Sequence, residues 1–412
     1  MKQTRNFPSV TVTKKAQMSL ESGHPWVYDT EIAKIPGEPI ENGSLVDVLS
    51  EKGRFLGTGL WSEKSKIRVR VLSRNANDKF DADFFRRRVK YAWDYRKTVM
   101  GDDLDACRVI FGEADMFPGL TVDKFRDVLV TQTLSYGMDR LKPLIFPALI
   151  EVLTADGHPI RGIYERGDVH LRTVEGLDEH CGWYSDGTVT VPGNDSTVTE
   201  IEENGVKYLV DFANGQKTGF FLDQKYNRRE VARLAKGKRV LDCFTHTGSF
   251  ALNAALGGAQ HVTAVDVSAD AVEMARENVR RNGLETCMDC VCENVFDLLP
   301  RLELEGKKPY DFIILDPPAF TKSRKTVDSA FRGYKEINYR AMKLLPRGGY
   351  LATCSCSHFM EDELFRKMIV SAARDAGVQL RRIEARQQSP DHPVLIGVPE
   401  TEYLKFYVYQ VV

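Results

Sequence analysis

The stretch Tyr310-Asp-Phe-Ile-Ile-Leu315-Asp316-Pro317-Pro318-Ala-Phe320 decides the fold. An apolar run closed by an acid and two prolines reads as a buried strand that must stop. Proline has no N–H for a ladder and holds φ fixed. An apolar run closed by an acid occurs twice upstream, in Arg239-Val-Leu-Asp242-Cys-Phe244 and His261-Val-Thr-Ala-Val-Asp266. Helical periodicity lies between these runs. Ser249 to Leu256 forms one helix. The next has Ser268 as N-cap, Val272, Ala275 and Val279 on one face, and Gly283 as its stop. A helix from about Lys335 to Leu345 and a strand from Gly349 to Cys354 follow. This alternation predicts an α/β fold: a doubly wound, mostly parallel, Rossmann-like sheet with helices on both faces. Ligands of such sheets bind at the carboxyl ends of the strands.

The chain before this region reads differently. Short alternating runs at 44–50, 55–60 and 67–72, broken by Gly and Pro, predict a small β-barrel. From Asp81, acids in the first turn and Phe84, Phe85, Val89 and Ala92 at helical spacing predict a helix. Strands over 107–112, 120–125, 127–133 and 162–166, with a helix over 138–153, predict a middle α+β segment. Residues 176–200 are rich in turn formers. The division is therefore 1–74, 75–196 and 197–412. With 412 residues, 42% hydrophobic, each segment can bury its own core, and disordered, collagen-like and disulfide-dense classes are excluded. No apolar run nears the ~18 residues of a membrane span. The start, Met1-Lys-Gln-Thr-Arg-Asn-Phe-Pro8, lacks the apolar core of a secretory signal. The expected location is the cytoplasm, with the eight cysteines as thiols.

Asp242, Asp266 and Asp316 fall along one edge of such a sheet. After Asp242 the chain runs Cys-Phe244-Thr245-His246-Thr-Gly248. One glycine at the strand-to-helix turn is not the G-x-G-x-x-G of a dinucleotide site, although an NAD-type site stays open. Asp266, followed by Val267, stands where an acid hydrogen-bonds ribose hydroxyls. Asp242 suits an ammonium, and Asn294, followed by Val295, suits an adenine amine. A cofactor with an amino acid at one end and adenosine at the other is S-adenosylmethionine. The bland alternative for each acid is a helix cap or turn former.

Pro317 and Pro318 fix the loop carrying Asp316, and Phe320 suits stacking on a planar base. Alone, this motif fits methylation of an exocyclic amine. The next strand ends Ala352-Thr-Cys354-Ser-Cys356-Ser-His358. Its period of two puts Ala352, Cys354 and Cys356 on one face, with Cys356 nearer the carboxyl end. Carbon 5 of a pyrimidine is a poor nucleophile until a thiolate adds to carbon 6. Cys356 suits that role, with Asp316 stabilising charge at N3. A cysteine on a parallel strand is otherwise an inert buried thiol, and Cys354 reads that way. Cys287, Cys290 and Cys292 lack an accompanying pair, so no metal is expected.

These blocks, with Gly215-Gln-Lys-Thr-Gly-Phe220-Phe-Leu-Asp-Gln224 and Arg332-Gly-Tyr-Lys-Glu-Ile-Asn338, resemble the bacterial large-subunit ribosomal RNA cytosine-carbon-5 methyltransferase family that carries an N-terminal PUA domain. The resemblance spans almost the whole chain. It implies a PUA-like RNA-binding start, a middle domain that positions RNA, and a class I methyltransferase end. It also implies S-adenosylmethionine as cofactor and ribosomal RNA as partner. The family's catalytic cysteine maps onto Cys356, and its cofactor-facing block onto Phe220 and Gln224. Cys354 stands where an apolar residue is usual. Two other readings stay open. One is an exocyclic-amine or small-molecule methyltransferase with no essential thiol, the other a non-catalytic RNA-binding assembly factor. A homodimer is left open, and no membrane partner is expected. The formal net charge is −1, which argues against a strongly basic nucleic-acid binder. Yet residues 52–97 hold fourteen basic against five acidic side chains, and 322–347 eight against two. The basic surface is therefore local.

Overall fold

The computed structural model describes residues 6–35, 37–306 and 308–412. Most of the start that reads as leaderless, Met1 to Arg5, lies outside the described residues. The chain divides into two compact units. One comprises the chain up to Ile201 together with 210–222 and 390–401. The other comprises 202–209, 223–389 and 402–412. Three short stretches of the first unit, 197–201, 210–222 and 390–401, thus come from the third segment of the sequence division.

In the first unit, a six-stranded mixed sheet contains Ser9–Val12, Trp26–Tyr28, Ile32–Lys34, Leu45–Ser50, Phe55–Trp61 and Ile67–Ser73. Val46, Val48, Leu56, Val69 and Val71 point into its core, as their alternation requires. The helix Ala82–Met100 starts where Asp81 accepts from the Phe84 N–H at 3.0 Å. A five-stranded sheet follows. The helix expected over 138–153 is two helices, Tyr136–Arg140 and Lys142–Ala155, because Pro143 cannot donate the bond that would continue the first. Ionic contacts explain why 390–401 belongs here. Arg96, fully buried, pairs with Asp115 and donates to the Asp391 carbonyl at 2.8 Å. The Arg108 N–H donates to the Asp391 carboxylate at 2.8 Å.

The second unit carries a seven-stranded sheet: β1 (Arg239–Cys243), β2 (His261–Asp266), β3 (Met288–Cys292), β4 (Phe312–Leu315), β5 (Tyr350–Ser355), β6 (Leu380–Arg386) and β7 (Lys405–Val411). The spatial order is β3-β2-β1-β4-β5-β7-β6. The first five strands are parallel; β7 runs antiparallel to both β5 and β6. Strand order reverses at β1, which has β2 on one side and β4 on the other. That reversal opens a crevice at the carboxyl ends of β1 and β4. The helices are α1 (Lys225–Ala235), α2 (Ser249–Leu256), α3 (Ala269–Arg281), α4 (Val295–Leu304), α5 (Val327–Leu344) and α6 (Asp362–Ala376). Leu241, Ile313, Leu315 and Leu351 pack with Tyr334, Met342 and Phe365 into one core. Helix α5 begins well before Lys335. Its first turns are mostly polar, but Ala330 and Tyr334 continue the buried spacing of Ile337 and Ala341.

Arg228 of α1 is buried and grips Glu203 through two bonds, at 2.7 and 2.9 Å. Removing one partner strands the other charge in the interior. Arg228→Met should therefore cost about 3–5 kcal/mol in urea unfolding, and most of the loss should return when Glu203→Gln is added.

Candidate active site at the carboxyl edge of the sheet

Asp242 lies inside β1 and is fully buried. One carboxylate oxygen accepts from the Thr245 hydroxyl at 2.5 Å and from the Ala251 N–H at 3.0 Å. Among the described residues the other has no hydrogen-bond partner. Burial pushes this carboxyl up to about 7; the Thr245 bond opposes the shift and the nearby Asp316 charge adds to it. The chain then turns sharply. Phe244, His246 and Gly248 take φ of 64°, 51° and 86°. Glycine tolerates this region freely; Phe and His do not, and they persist there only where their surroundings over-determine them. At Gly248 a Cβ would also come within 3.3 Å of the Ala275 Cβ. Both neighbouring acids pin the turn. Thr245 is tied to Asp242, and the His246 N–H donates to Asp266 at 2.8 Å. Burial lowers the His246 imidazole.

Asp266 ends β2 half-buried, its second oxygen accepting from the Ser268 N–H at 3.0 Å. Each oxygen keeps a further lone pair. Val267 beside it is 70% exposed. Asn294 is exposed, and its side-chain oxygen caps α4 by accepting from the Phe296 N–H at 3.0 Å. Val295 points its side chain into the core.

Asp316 directly follows β4. It accepts from the buried Gln224 amide at 3.1 Å, and Gln224 in turn accepts from Asn227 at 2.6 Å. Part of Asp316 is accessible, yet the protein packed around it pushes its carboxyl up to about 7. The Asp223 charge acts in the same direction and Arg228 opposes it. Pro317 is buried and Pro318 exposed. Phe320, expected to stack on a base, is half-buried and already packs on Tyr334 and Phe296, with centroids 4.6 and 5.9 Å away.

The two cysteines of β5 part company. Cys354 is fully buried, and burial next to Asp316 drives its thiol well above the ordinary range. Cys356 lies one residue beyond the strand, half-buried. The turn carrying it is held where the Ser357 hydroxyl donates to the Thr321 carbonyl at 2.8 Å. His358 is exposed. The edge thus brings together Asp242, Asp266, Asp316, Gln224 and the turn from Phe244 to Gly248. Phe220 is buried in the first unit. Sequence reasoning gave no role to Tyr334, although it lies in the Arg332–Asn338 block; its hydroxyl accepts from Ser355 at 3.1 Å. It missed Lys405, which donates to the Ser357 carbonyl at 2.6 Å and which no local motif marks. The pairing of β7 with β5, which places Lys405, could have been sought as an apolar run near the carboxyl end of the chain. Among the described residues no group of His, Cys, Asp and Glu could hold a metal, and no helix is long and apolar enough to cross a membrane.

Residues 166–402 match the S-adenosylmethionine-dependent methyltransferase family, and residues 10–74 match a PUA-like domain. The chain is thus an S-adenosylmethionine-dependent methyltransferase with a PUA-like domain near its start. It is 42% identical over 398 residues to the ribosomal RNA large subunit methyltransferase I of Aeromonas salmonicida, covering 96% of this chain and 97% of that one. It is 39% identical over 401 residues to the protein of the same name from Klebsiella pneumoniae strain 342, covering 97% of each. The chain belongs to the ribosomal RNA large subunit methyltransferase I family. A SAM-dependent methyltransferase structure from Streptococcus mutans shares the fold, with a TM-score of 0.81 at 23% identity, covering 98% of this chain and all of that one.

The raised Asp242 carboxyl has a consequence for stability. Its neutral form is favoured in the folded protein, so this contribution is complete below about 4 and is lost as pH rises through about 7. Asp316 acts with the same sign. In ligand-free protein, Asp242→Asn should remove about half of the fall in melting temperature between pH 4 and 7. Equal slopes for variant and wild type, followed by calorimetry, would contradict the assignment.

Proposed function

We propose that the protein methylates carbon 5 of a cytosine in large-subunit ribosomal RNA, with Cys356 as nucleophile. The observation that carries this reading is a half-buried thiol at the carboxyl end of β5, in the same sheet edge as an acid held near 7. Bound S-adenosylmethionine supplies an electrophilic methyl on a sulfonium sulfur. The residues fit that group. The unpartnered Asp242 oxygen, buried and aimed at no donor, suits its ammonium. Asp266 has lone pairs for the ribose hydroxyls. The turn from Phe244 to Gly248 and the rim at Val267, Asn294 and Val295 complete the cofactor side. Gln224 orients Asp316, and Phe220 belongs to the block that family resemblance assigns to the cofactor.

On the substrate side, the Cys356 thiolate adds to carbon 6, forming an S–C bond and moving electron density onto carbon 5. Asp316, whose carboxyl is raised to about 7 and so is partly protonated near neutral pH, can in that form donate to N3 as charge gathers there. Once carbon 5 carries the methyl, its proton leaves, the S–C6 bond breaks and the thiolate returns. Pro317 and Pro318 fix the loop, and Phe320 lines it. Family membership supports ribosomal RNA as the substrate. So do Lys322, Arg324 and Lys325, which follow this loop and ion-pair with no carboxylate among the described residues. The Asp-Pro-Pro-aromatic motif also favours a second reading, methylation of an exocyclic amine, which needs no thiol.

RNA carrying 5-fluorocytosine should trap a covalent adduct, because fluorine cannot leave carbon 5 as a proton does. Cys356→Ala should abolish the adduct and lower methylation at least ~10³-fold. Methylation that survives Cys356→Ala favours the amine. Mass spectrometry of ribosomal RNA from a deletion strain should show the loss of one 5-methylcytosine. Replacing Lys322, Arg324 and Lys325 by Ala should reduce the salt slope of RNA binding by roughly 0.7 for each phosphate that these side chains neutralise.

A further inference from the structure

Lys405 is the second feature of this edge that needs a reason. It begins β7, opposite Ser355 in the register with β5, and is 8% exposed. Its ammonium donates to the Ser357 carbonyl at 2.6 Å and to the Tyr403 carbonyl at 2.8 Å. Two of its three N–H donors are thereby occupied. Among the described residues no carboxylate forms an ion pair with it. Burying an ammonium without a paired anion is unfavourable, and a hydrophobic residue would fill the same space at less cost. The carbonyls it grips flank the active-site edge, one of them belonging to the residue after Cys356.

We propose that Lys405 is the positioning residue for Cys356: it holds the turn that carries the thiol and supplies the positive charge that favours the thiolate. The thiol gives its proton to solvent, sulfur keeps the electron pair, and at pH 7 most of the ammonium stays protonated. This deepens the proposed function and rests on its reading of Cys356 as nucleophile. The surrounding charges agree. Burial pushes the Lys405 ammonium down to about 8. Of the groups that hold it up, the Cys356 thiol acts most strongly, ahead of Asp362, Glu402 and Glu361. Tyr334 and Cys354 also feel Cys356; burial raises both, so neither contributes an anion near neutral pH. An ammonium next to a thiol is an established way to raise its reactive fraction.

The test is the rate at which iodoacetamide alkylates Cys356 in the full-length protein as a function of pH, read by peptide mass spectrometry so that the eight cysteines are resolved. Wild-type reactivity should reach half-maximum below the ~8.5 of a free thiol. Lys405→Gln should raise that midpoint by about one unit, leaving roughly tenfold less thiolate at pH 7. Lys405→Arg should restore the wild-type midpoint. Equal midpoints for Lys405→Gln and wild type overturn the proposal. So does an Arg variant that titrates with the Gln variant, which would assign the effect to packing. If Lys405→Gln does not fold, a wild-type midpoint at or above ~8.5 overturns it alone. The assay uses no RNA. Failure of the nucleophile reading shows separately, as methylation that persists in Cys356→Ala.

Discussion

The carboxyl group of Asp242 is the point on which the carboxyl edge is built. One of its oxygens binds both the Thr245 hydroxyl and the Ala251 N–H. A single acid therefore fixes a strand, a strained turn and the first turn of a helix. Those two bonds help hold Phe244 and His246 at positive φ, where each costs of order 1–3 kcal/mol. Asp266 shares the task by accepting from the His246 N–H. The second Asp242 oxygen has no such duty. A buried acceptor left unpaired is costly to the free protein and available to a cationic ligand. The structure thus uses one side of this carboxylate and leaves the other for the ammonium of the proposed function.

The same burial separates two groups that look alike in the sequence. Cys354 and Cys356 are two residues apart on one strand face. Cys354 lies within the hydrogen-bonded ladder, is fully buried and is held as a neutral thiol beside Asp316. Cys356 lies just past the ladder, where the chain turns and the packing opens. One step of strand pairing decides which thiol is core and which stays partly accessible. Asp242 and Asp316 show the converse. Both are driven to about 7, but Asp242 bonds inward to its own turn, while Asp316 bonds to Gln224 and stays partly accessible.

Features that depend on short runs of sequence were legible. The strands that carry Asp242 and Asp266, and the one that stops just before Asp316, were read from their apolar runs and the acids that close them. The helix after Ser268 carries its cap and its apolar face. Gly248 reads as a turn because only glycine fits both its φ and its close approach to Ala275. Features that depend on distant pairing were not legible. Lys405 approaches the Cys356 turn only because β7 returns antiparallel along β5, and no residue near Lys405 announces that register. The membership of 390–401 in the first unit likewise rests on Arg96 and Arg108 reaching Asp391 across almost three hundred residues. Gln224 entered through family resemblance alone; its role beside Asp316 is a bond between side chains far apart in the chain. Asn294 was visible as a strand-end residue, but the helix cap that occupies its oxygen belongs to the start of α4, which was not read as a helix.

A net charge near zero hides two different kinds of basic run. In the run from 52 to 97, acids pair with part of the charge: Asp83 and Glu151 with Arg86, Asp94 with Lys90, and Asp156 with Lys97, while Lys64, Lys66, Arg68 and Arg74 form no ion pair among the described residues. Arg70 and Arg96 are buried against Glu175 and Asp115 and hold the fold together. In the run from 322 to 347, Lys335 and Arg340 are paired, while Lys322, Arg324 and Lys325 form no ion pair among the described residues. Composition weights the two runs by number, and by number the first is larger. Phosphate binding weights them by unpaired charge, and by that measure cations remain available in both runs. Those that follow Asp316 differ in place rather than in number: a polyanion drawn to them would be held beside the candidate site, where the same charges can orient it as well as attract it.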